Sequence, residues 1–219
     1  MVDDNIVYNT GETQEELRQR YNPEGSKLRR AQLRMLDMLI YLDKVCKEQG
    51  IKYFLGGGNV LGAVRHGGFI PWDDDIDIVM DYPEYKKLIK YLIENPHSQY
   101  KIQCRETDKG FFGAWAVLRD TKSEYIQDSI IHELRSYRGL QVDIFPFDRG
   151  NIYCLRYLSL LFQGKIIDRS LLRNRNRIAA ISWNICYNII VPLFRCFNVL
   201  GNRKKYSHSY GAGWINEEF

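Results

Sequence analysis

Gly56-Gly57-Gly58-Asn59-Val60-Leu61-Gly62-Ala63-Val64-Arg65-His66-Gly67-Gly68-Phe69-Ile70-Pro71-Trp72-Asp73-Asp74-Asp75-Ile76-Asp77-Ile78 carries a glycine-rich turn into basic residues and then into four aspartates within five positions. In a strand, residues two apart share a face. The alternation Asp75-Ile76-Asp77-Ile78 therefore predicts a strand over Asp75 to Met80, with both carboxylates on one side and the isoleucines packed behind. Neighbouring carboxylates repel. A divalent cation relieves that repulsion, and hard ions such as Mg²⁺ take oxygen ligands. The plainer reading is a solvated acidic turn before an amphipathic strand. Such a run has no reason to follow a glycine turn or to be bracketed by Trp72 and Ile76.

The glycine turn has a matching task. Without side chains, backbone comes close to a phosphate, and the N–H groups at a following helix start favour anions. Val60 to Arg65 is predicted to form that short helix. Arg65 and His66 stand between the two elements as candidate phosphate contacts. A surface salt bridge for Arg65 and a turn position for His66 are the ordinary alternatives.

Two carboxylates on one strand seldom complete a phosphoryl-transfer site. Asp143, in Gln141-Val142-Asp143-Ile144-Phe145-Pro146, is the candidate third acid. Flanked by β-branched residues, it is costly there without a partner, unless it sits on an edge strand in water. A cation held by such acids polarises a phosphoryl oxygen, neutralises developing charge and can activate an attacking hydroxyl.

Outward from this block, residues 1–25 read as a flexible lead-in. Apolar residues from Leu28 to Cys46 recur at helical spacing, with Ser26 as N-cap and Gly50 as stop. Ile51 to Leu55 reads as a strand. Asp81-Tyr82-Pro83-Glu84 fits a capping box opening a helix that buries Tyr85, Leu88, Ile89, Leu92 and Ile93 and ends near Asn95-Pro96. Strands are expected at about 100–105, 114–119, 123–127 and 140–145. The texture then changes. Residues 1–150 hold 21 Lys and Arg against 24 Asp and Glu, whereas 151–219 hold 10 against 3. Arginines 169, 173, 175 and 177 precede Ile178–Phe194, a 17-residue run without charge. Its length is at the lower limit for a membrane span, and Asn184, Asn188 and Pro192 favour a buried or interfacial helix. The basic tail suits phosphates or an anionic bilayer. It carries no nucleic-acid module.

Five scattered cysteines without a C-x-x-C pair argue against a disulfide framework and a zinc site. The opening residues form no signal peptide, which points to a cytoplasmic protein.

The blocks Gly57–His66 and Gly68–Ile78 together resemble the signature of LicD-type phosphotransferases, and Val142-Asp143-Ile144-Phe145-Pro146-Phe147-Asp148 resembles that family's second block. The resemblance covers roughly residues 28–150. It implies an α+β fold, a nucleotidyltransferase-like mixed sheet flanked by helices, with a C-terminal helical segment. The organisation expected is a lead-in over 1–25, a catalytic domain over 26–150 and a helical, basic segment over 151–219 without the family's closing block. By the same resemblance, Gly57 and Gly58 hold donor phosphate, Asp75, Asp77 and Asp143 bind Mg²⁺ or Mn²⁺, and Asp73 assists. Asn59, a further donor contact by the same resemblance, stands where the family usually has Thr or Ser and keeps a hydrogen-bonding side chain. The implied reaction transfers phosphocholine or a phospho-alditol from CDP-choline or a CDP-alditol to a hydroxyl of a surface glycan or its lipid-linked precursor, of lipopolysaccharide, teichoic acid or capsule type. That places the protein in the cytoplasm, with peripheral contact at the membrane's inner face. Two rivals stay open. One is a nucleotidyltransferase acting on a small molecule; the other is an inactive glycan- or partner-binding remnant.

Overall fold

The structure, a computed structural model, describes residues 11–108, 111, 115–126, 135–149 and 206–208, with the single positions 185, 189 and 193. Its core is a mixed sheet with strand order β1-β2-β5-β4-β3: β1 (Phe54–Leu55), β2 (Asp77–Asp81), β5 (Gln141–Arg149), β4 (Ala116–Asp120) and β3 (Tyr100–Gln103). A short β6 (Tyr206–His208) pairs with the far end of β5. Among the described strands β2 and β5 alone run parallel; the other pairings are antiparallel. The expected mixed, helix-flanked sheet is what the chain forms.

One face of this sheet is the core. Ile78 and Met80 of β2, Val142 and Ile144 of β5, Ala116 and Leu118 of β4 and Ile102 of β3 are buried there. Against them pack α2 (Lys27–Gln49), through Met35, Met38, Leu42, Val45 and Cys46, and α4 (Tyr82–Glu94), through Leu88, Ile89 and Leu92. Both helices follow from their apolar spacing. Ser26 Oγ accepts from Arg29 N at 3.1 Å and caps α2, and Gly50 closes it in the left-handed region at φ 63°. Arg34 pins α2 to the end of β4 by two bonds to the fully buried Asp120, at 3.0 and 3.3 Å.

Several local expectations change. Within the stretch read as a flexible lead-in, Gln14–Tyr21 forms α1, held by a complete capping box between Thr13 and Glu16. Its one buried apolar residue, Leu17, gives no visible periodicity. The capping box expected at Asp81 does not form, although Asp81 is the N-cap; Glu84 bonds Lys87 Nζ and Lys52 N instead. The strand over 51–55 shrinks to Phe54–Leu55. The acidic strand begins at Asp77 rather than Asp75. Residues 123–126 form no strand. The expected helices beyond residue 150 lie outside the described residues, except that Ile185, Ile189 and Leu193 are helical.

Candidate active site

The second face of the sheet carries polar side chains beside a small apolar cluster of Val79, Phe145 and Phe147. Strand alternation puts Asp77, Asp143, Gln141, Arg119 and Gln103 on that face. Cross-strand register aligns them, with Asp77 opposite Asp143, Val117 opposite Asp143 and Arg119 opposite Gln141.

Helix α3 (Gly57–His66) starts at the edge of this face. Gly56 N donates to Asp77 O at 2.8 Å, so the turn is tied directly to β2. Gly57 takes φ 49°, a conformation that favours glycine, and a Cβ there would lie 3.4 Å from Asp77 Oδ2. A Cβ on Gly58 would meet Asp73 Oδ2 at 3.0 Å. After α3 the chain doubles back along it. The approach is so close that a Cβ on Gly62 would sit 2.4 Å from Gly68 O. This return carries Asp73 to the start of α3.

Asn59 fastens the acidic segment in place. Its Nδ2 donates to Asp75 O at 3.1 Å, and its Oδ1 accepts from Asp77 N at 2.5 Å. The side chain expected to face a donor is thus buried and engaged with backbone. Gln32, from α2, adds a bond to Asp73 O at 2.8 Å.

The acids fall into two neighbouring groups. Asp73, Asp74 and Asp75 bring one carboxylate oxygen each within 4.8 Å of one another. Asp77 and Asp143 stand side by side on β2 and β5. Asp75 precedes the strand, so it does not share Asp77's strand face as its parity suggested; it reaches the cluster from the loop. Asp143 is buried on a central strand, which overturns the edge-strand alternative. Both its oxygens are engaged, Oδ1 by Trp115 Nε1 at 2.7 Å and Oδ2 by Gln141 Nε2 at 2.5 Å.

Electrostatics record the crowding. Burial pushes Asp77 up to about 7, helped by Asp143, Asp75 and Asp73. Burial also raises Asp73 to about 6, with Asp75 and Asp74 contributing. Asp75 is raised by burial and by Asp74. Burial raises Asp143 against the opposing bonds from Trp115 and Gln141. Asp73 Oδ2 is buried with no partner. An all-carboxylate donor set with an orphaned buried oxygen fits a hard divalent cation.

Two expected contacts stand elsewhere. Arg65 is exposed in the last turn of α3, roughly 12 Å of helix axis beyond Gly57. His66 is buried against Trp72 and bonds Gln14 Oε1 through Nδ1 at 2.5 Å, tying α1 to α3. Asp74, Trp115, Gln141 and Arg119 were not singled out from sequence as site residues. Tyr125 Oη donates to Asp74 Oδ2 at 3.1 Å.

The sequence that builds this arrangement is matched among known proteins. The family model for LicD/FKTN/FKRP, nucleotidyltransferase domain, matches residues 50–168, more than half of the chain. The chain belongs to the LicD family. The match takes in the glycine turn, the acidic loop and Asp143. Over 79 residues, 36% of this chain and 30% of the relative, it is 43% identical to the lipopolysaccharide cholinephosphotransferase LicD of Haemophilus influenzae. Over 38 residues, 17% of this chain and 8% of the relative, it is 50% identical to the human ribitol 5-phosphate transferase FKRP. The chain thus spans less than a third of the length of either LicD relative. The named relatives are a lipopolysaccharide cholinephosphotransferase and a ribitol 5-phosphate transferase.

Proposed function

We propose that the protein is a divalent-metal-dependent phosphotransferase that moves phosphocholine or a phospho-alditol from a CDP-linked donor to a glycan hydroxyl. The observation that carries this reading is the meeting of Asp77 and Asp143 on parallel strands, beside Asp73–Asp75 and the glycine-started helix α3. Asp75, Asp77 and Asp143, with Asp73, are the residues proposed to hold Mg²⁺. When bound, that ion supplies charge neutralisation at the transferring phosphoryl group. Gly57 and Gly58 leave the helix start open to donor phosphate, whose charge the N-terminal N–H groups favour. Asn59 holds the loop and the strand at a fixed spacing. Asp143, kept in place by Trp115 and Gln141, is the proposed base for the acceptor hydroxyl. Arg65 joins the donor contacts only if the donor extends along α3.

The acceptor proposed is a surface glycan or its lipid-linked precursor, met at the inner face of the cytoplasmic membrane. No helix among the described residues is long and apolar enough to cross a membrane. Ile185, Ile189 and Leu193, four residues apart on helix, are each more than half exposed. That stripe suits interfacial contact. High salt or carbonate should release the protein from membranes; retention through both washes would argue for an integral segment.

The direct test incubates the full chain with Mg²⁺, a CDP-linked donor and the membrane glycan fraction, and follows products by mass analysis. Release of CMP with a matching mass gain on the glycan supports the proposal. Release of pyrophosphate from a nucleoside triphosphate would favour a nucleotidyltransferase instead. A folded protein that binds neither Mg²⁺ nor CDP-choline would leave the binding-remnant reading.

A further inference from the structure

Beyond the acids, the β4 side of the sheet holds a buried and a half-buried arginine, whose charge Asp143 and Asp108 favour without pairing with them. Arg119, on β4, is wholly inaccessible. Its Nε bonds Gln103 Oε1 at 3.0 Å and its Nη1 bonds Gly139 O at 2.9 Å, while its Nη2 has no partner. Arg135 lies with its guanidinium 5.4 Å from the Phe111 ring centroid, and its buried Nε also lacks a partner. Among the described residues, neither arginine forms an ion pair. The nearby carboxylates are already taken. Asp143 is bonded by Trp115 and Gln141, and Asp108 by Gln103 and Ser136. Burial lowers Arg119 to about 10, and Arg135 is the next cause. An unsatisfied buried donor is costly, and more so when charged. Two of them, each acting on the other's charge, require a reason.

Their place suggests one. Arg119 stands opposite Gln141, diagonal to Asp143 and one strand further from β2. The glycine start of α3 abuts β2 on the other side of the acids. The acidic cluster is therefore flanked by anion-favouring groups on both sides. Once the acids hold a cation, their charge no longer offsets the arginines, and the β4 side carries surplus positive charge.

We infer that Arg119 and Arg135 form a second anion subsite, on the β4 side of the acids, that takes phosphate oxygens of a phosphorylated ligand. Guanidinium forks match phosphate geometry in two-point bonds. The subsite rests on the phosphoryl-transfer reading only in naming the anion as phosphate. That phosphate belongs either to the nucleotide or to a phosphorylated acceptor.

The test is calorimetric titration of the full chain in saturating Mg²⁺. Inorganic phosphate is the first probe, against the wild type, Arg135→Gln and Arg119→Lys, with circular dichroism confirming each fold. Arg135 supports no strand pairing, so Arg135→Gln keeps the test decisive if Arg119→Lys fails to fold. Phosphate should bind the wild type and weaken roughly tenfold in Arg135→Gln. Equal affinity in the two proteins, or no binding by the folded wild type, would overturn the subsite. CMP compared with cytidine, and separately a sugar phosphate, then identify the source by which advantage Arg135→Gln removes. If it removes neither, the subsite is again overturned. Intact phosphate binding with no transfer from any CDP-linked donor would instead count against the proposed reaction alone.

Discussion

Asp77 and Asp143 occupy the same register position on adjacent parallel strands, with 65 residues of chain between them. Ile78 and Ile144, one step along, are paired in the same way on the apolar face. The site and the core are thus built by one set of strand pairings.

Asp77→Asn and Asp143→Asn should each reduce transfer by more than tenfold, a barrier increase above about 1.4 kcal/mol, while the fold survives. Removing one of two repelling carboxylates eases the metal-free protein. Asp143→Asn should stay slow at saturating Mg²⁺ if the residue also accepts the acceptor's proton. Full recovery with excess Mg²⁺ would leave it a ligand only, and wild-type rates would remove the residue from the site.

Trp115→Phe keeps the ring against Phe145 and Phe111 but deletes the donor to Asp143 Oδ1. The orphaned buried acceptor should cost about 1–3 kcal/mol of stability. A loosened Asp143 should also lower the transfer rate. Urea unfolding and initial rates report the two effects; an unchanged rate would show that Trp115 serves packing alone.

The metal-free protein should lose stability between pH 6.5 and 8. The native pKa of Asp77, about 7, exceeds the ordinary aspartate value of 3.8. Its stabilising contribution is complete below the unfolded value and vanishes as pH rises through the folded one. Asp73, at about 6, has the same sign but acts mostly at lower pH. His66, lowered by burial, acts in the opposite sense only below its unfolded 6.5. Mg²⁺ should restore the melting temperature most at pH 8, where the acids are already ionised. A metal-free melting temperature that climbs from pH 6.5 to 8 would contradict this arrangement of acids.

Gly62→Ala should destabilise by about 1–3 kcal/mol through overpacking, despite the roughly 1 kcal/mol that Ala otherwise gains over Gly in a helix. Its Cβ would meet backbone, Gly68 O at 2.4 Å and Ile70 N at 3.0 Å, which cannot swing aside. Displacing the returning loop should also move Asp73 from Gly58 and weaken Mg²⁺ binding. Calorimetry and urea unfolding check both; a variant as stable as wild type would mean that the loop yields freely.

What the sequence disclosed, and what it hid, follows from the range of the interactions. The α2 limits were legible because Ser26 and Gly50 act within one helical turn of themselves. Asp143 was legible because a lone acid among Val142, Ile144 and Phe145 conflicts with its own neighbours. Helix α1 was missed even though Thr13 and Glu16 spell its capping box, since Leu17 alone gives no apolar period. The Asp81–Glu84 pattern misled because Lys52 and Lys87, one remote and one local, claim Glu84. Trp115 and Arg119 carry no local signal. Their meaning arises only when β4 is laid antiparallel beside β5, a pairing across more than twenty residues of chain. Asn59 stood out in the sequence as a donor contact, but its bonds to the acidic segment could be read only once Asp75 and Asp77 lay beside it.

The parallel β2–β5 ladder has a kinetic consequence. Parallel strands cannot be joined by a tight turn, and the closure of a long loop must precede their contact. The register also admits no tolerance, because a slip of one residue would turn Asp143 toward the apolar side and bring Val142 or Ile144 into its place. Four of the carboxylates, Asp73 to Asp77, lie within five residues of one another, whereas the fifth arrives only when β5 docks in register. In stopped-flow refolding, high-affinity Mg²⁺ uptake should therefore coincide with the last and slowest phase, so that the cation reports completion of the sheet rather than its nucleation.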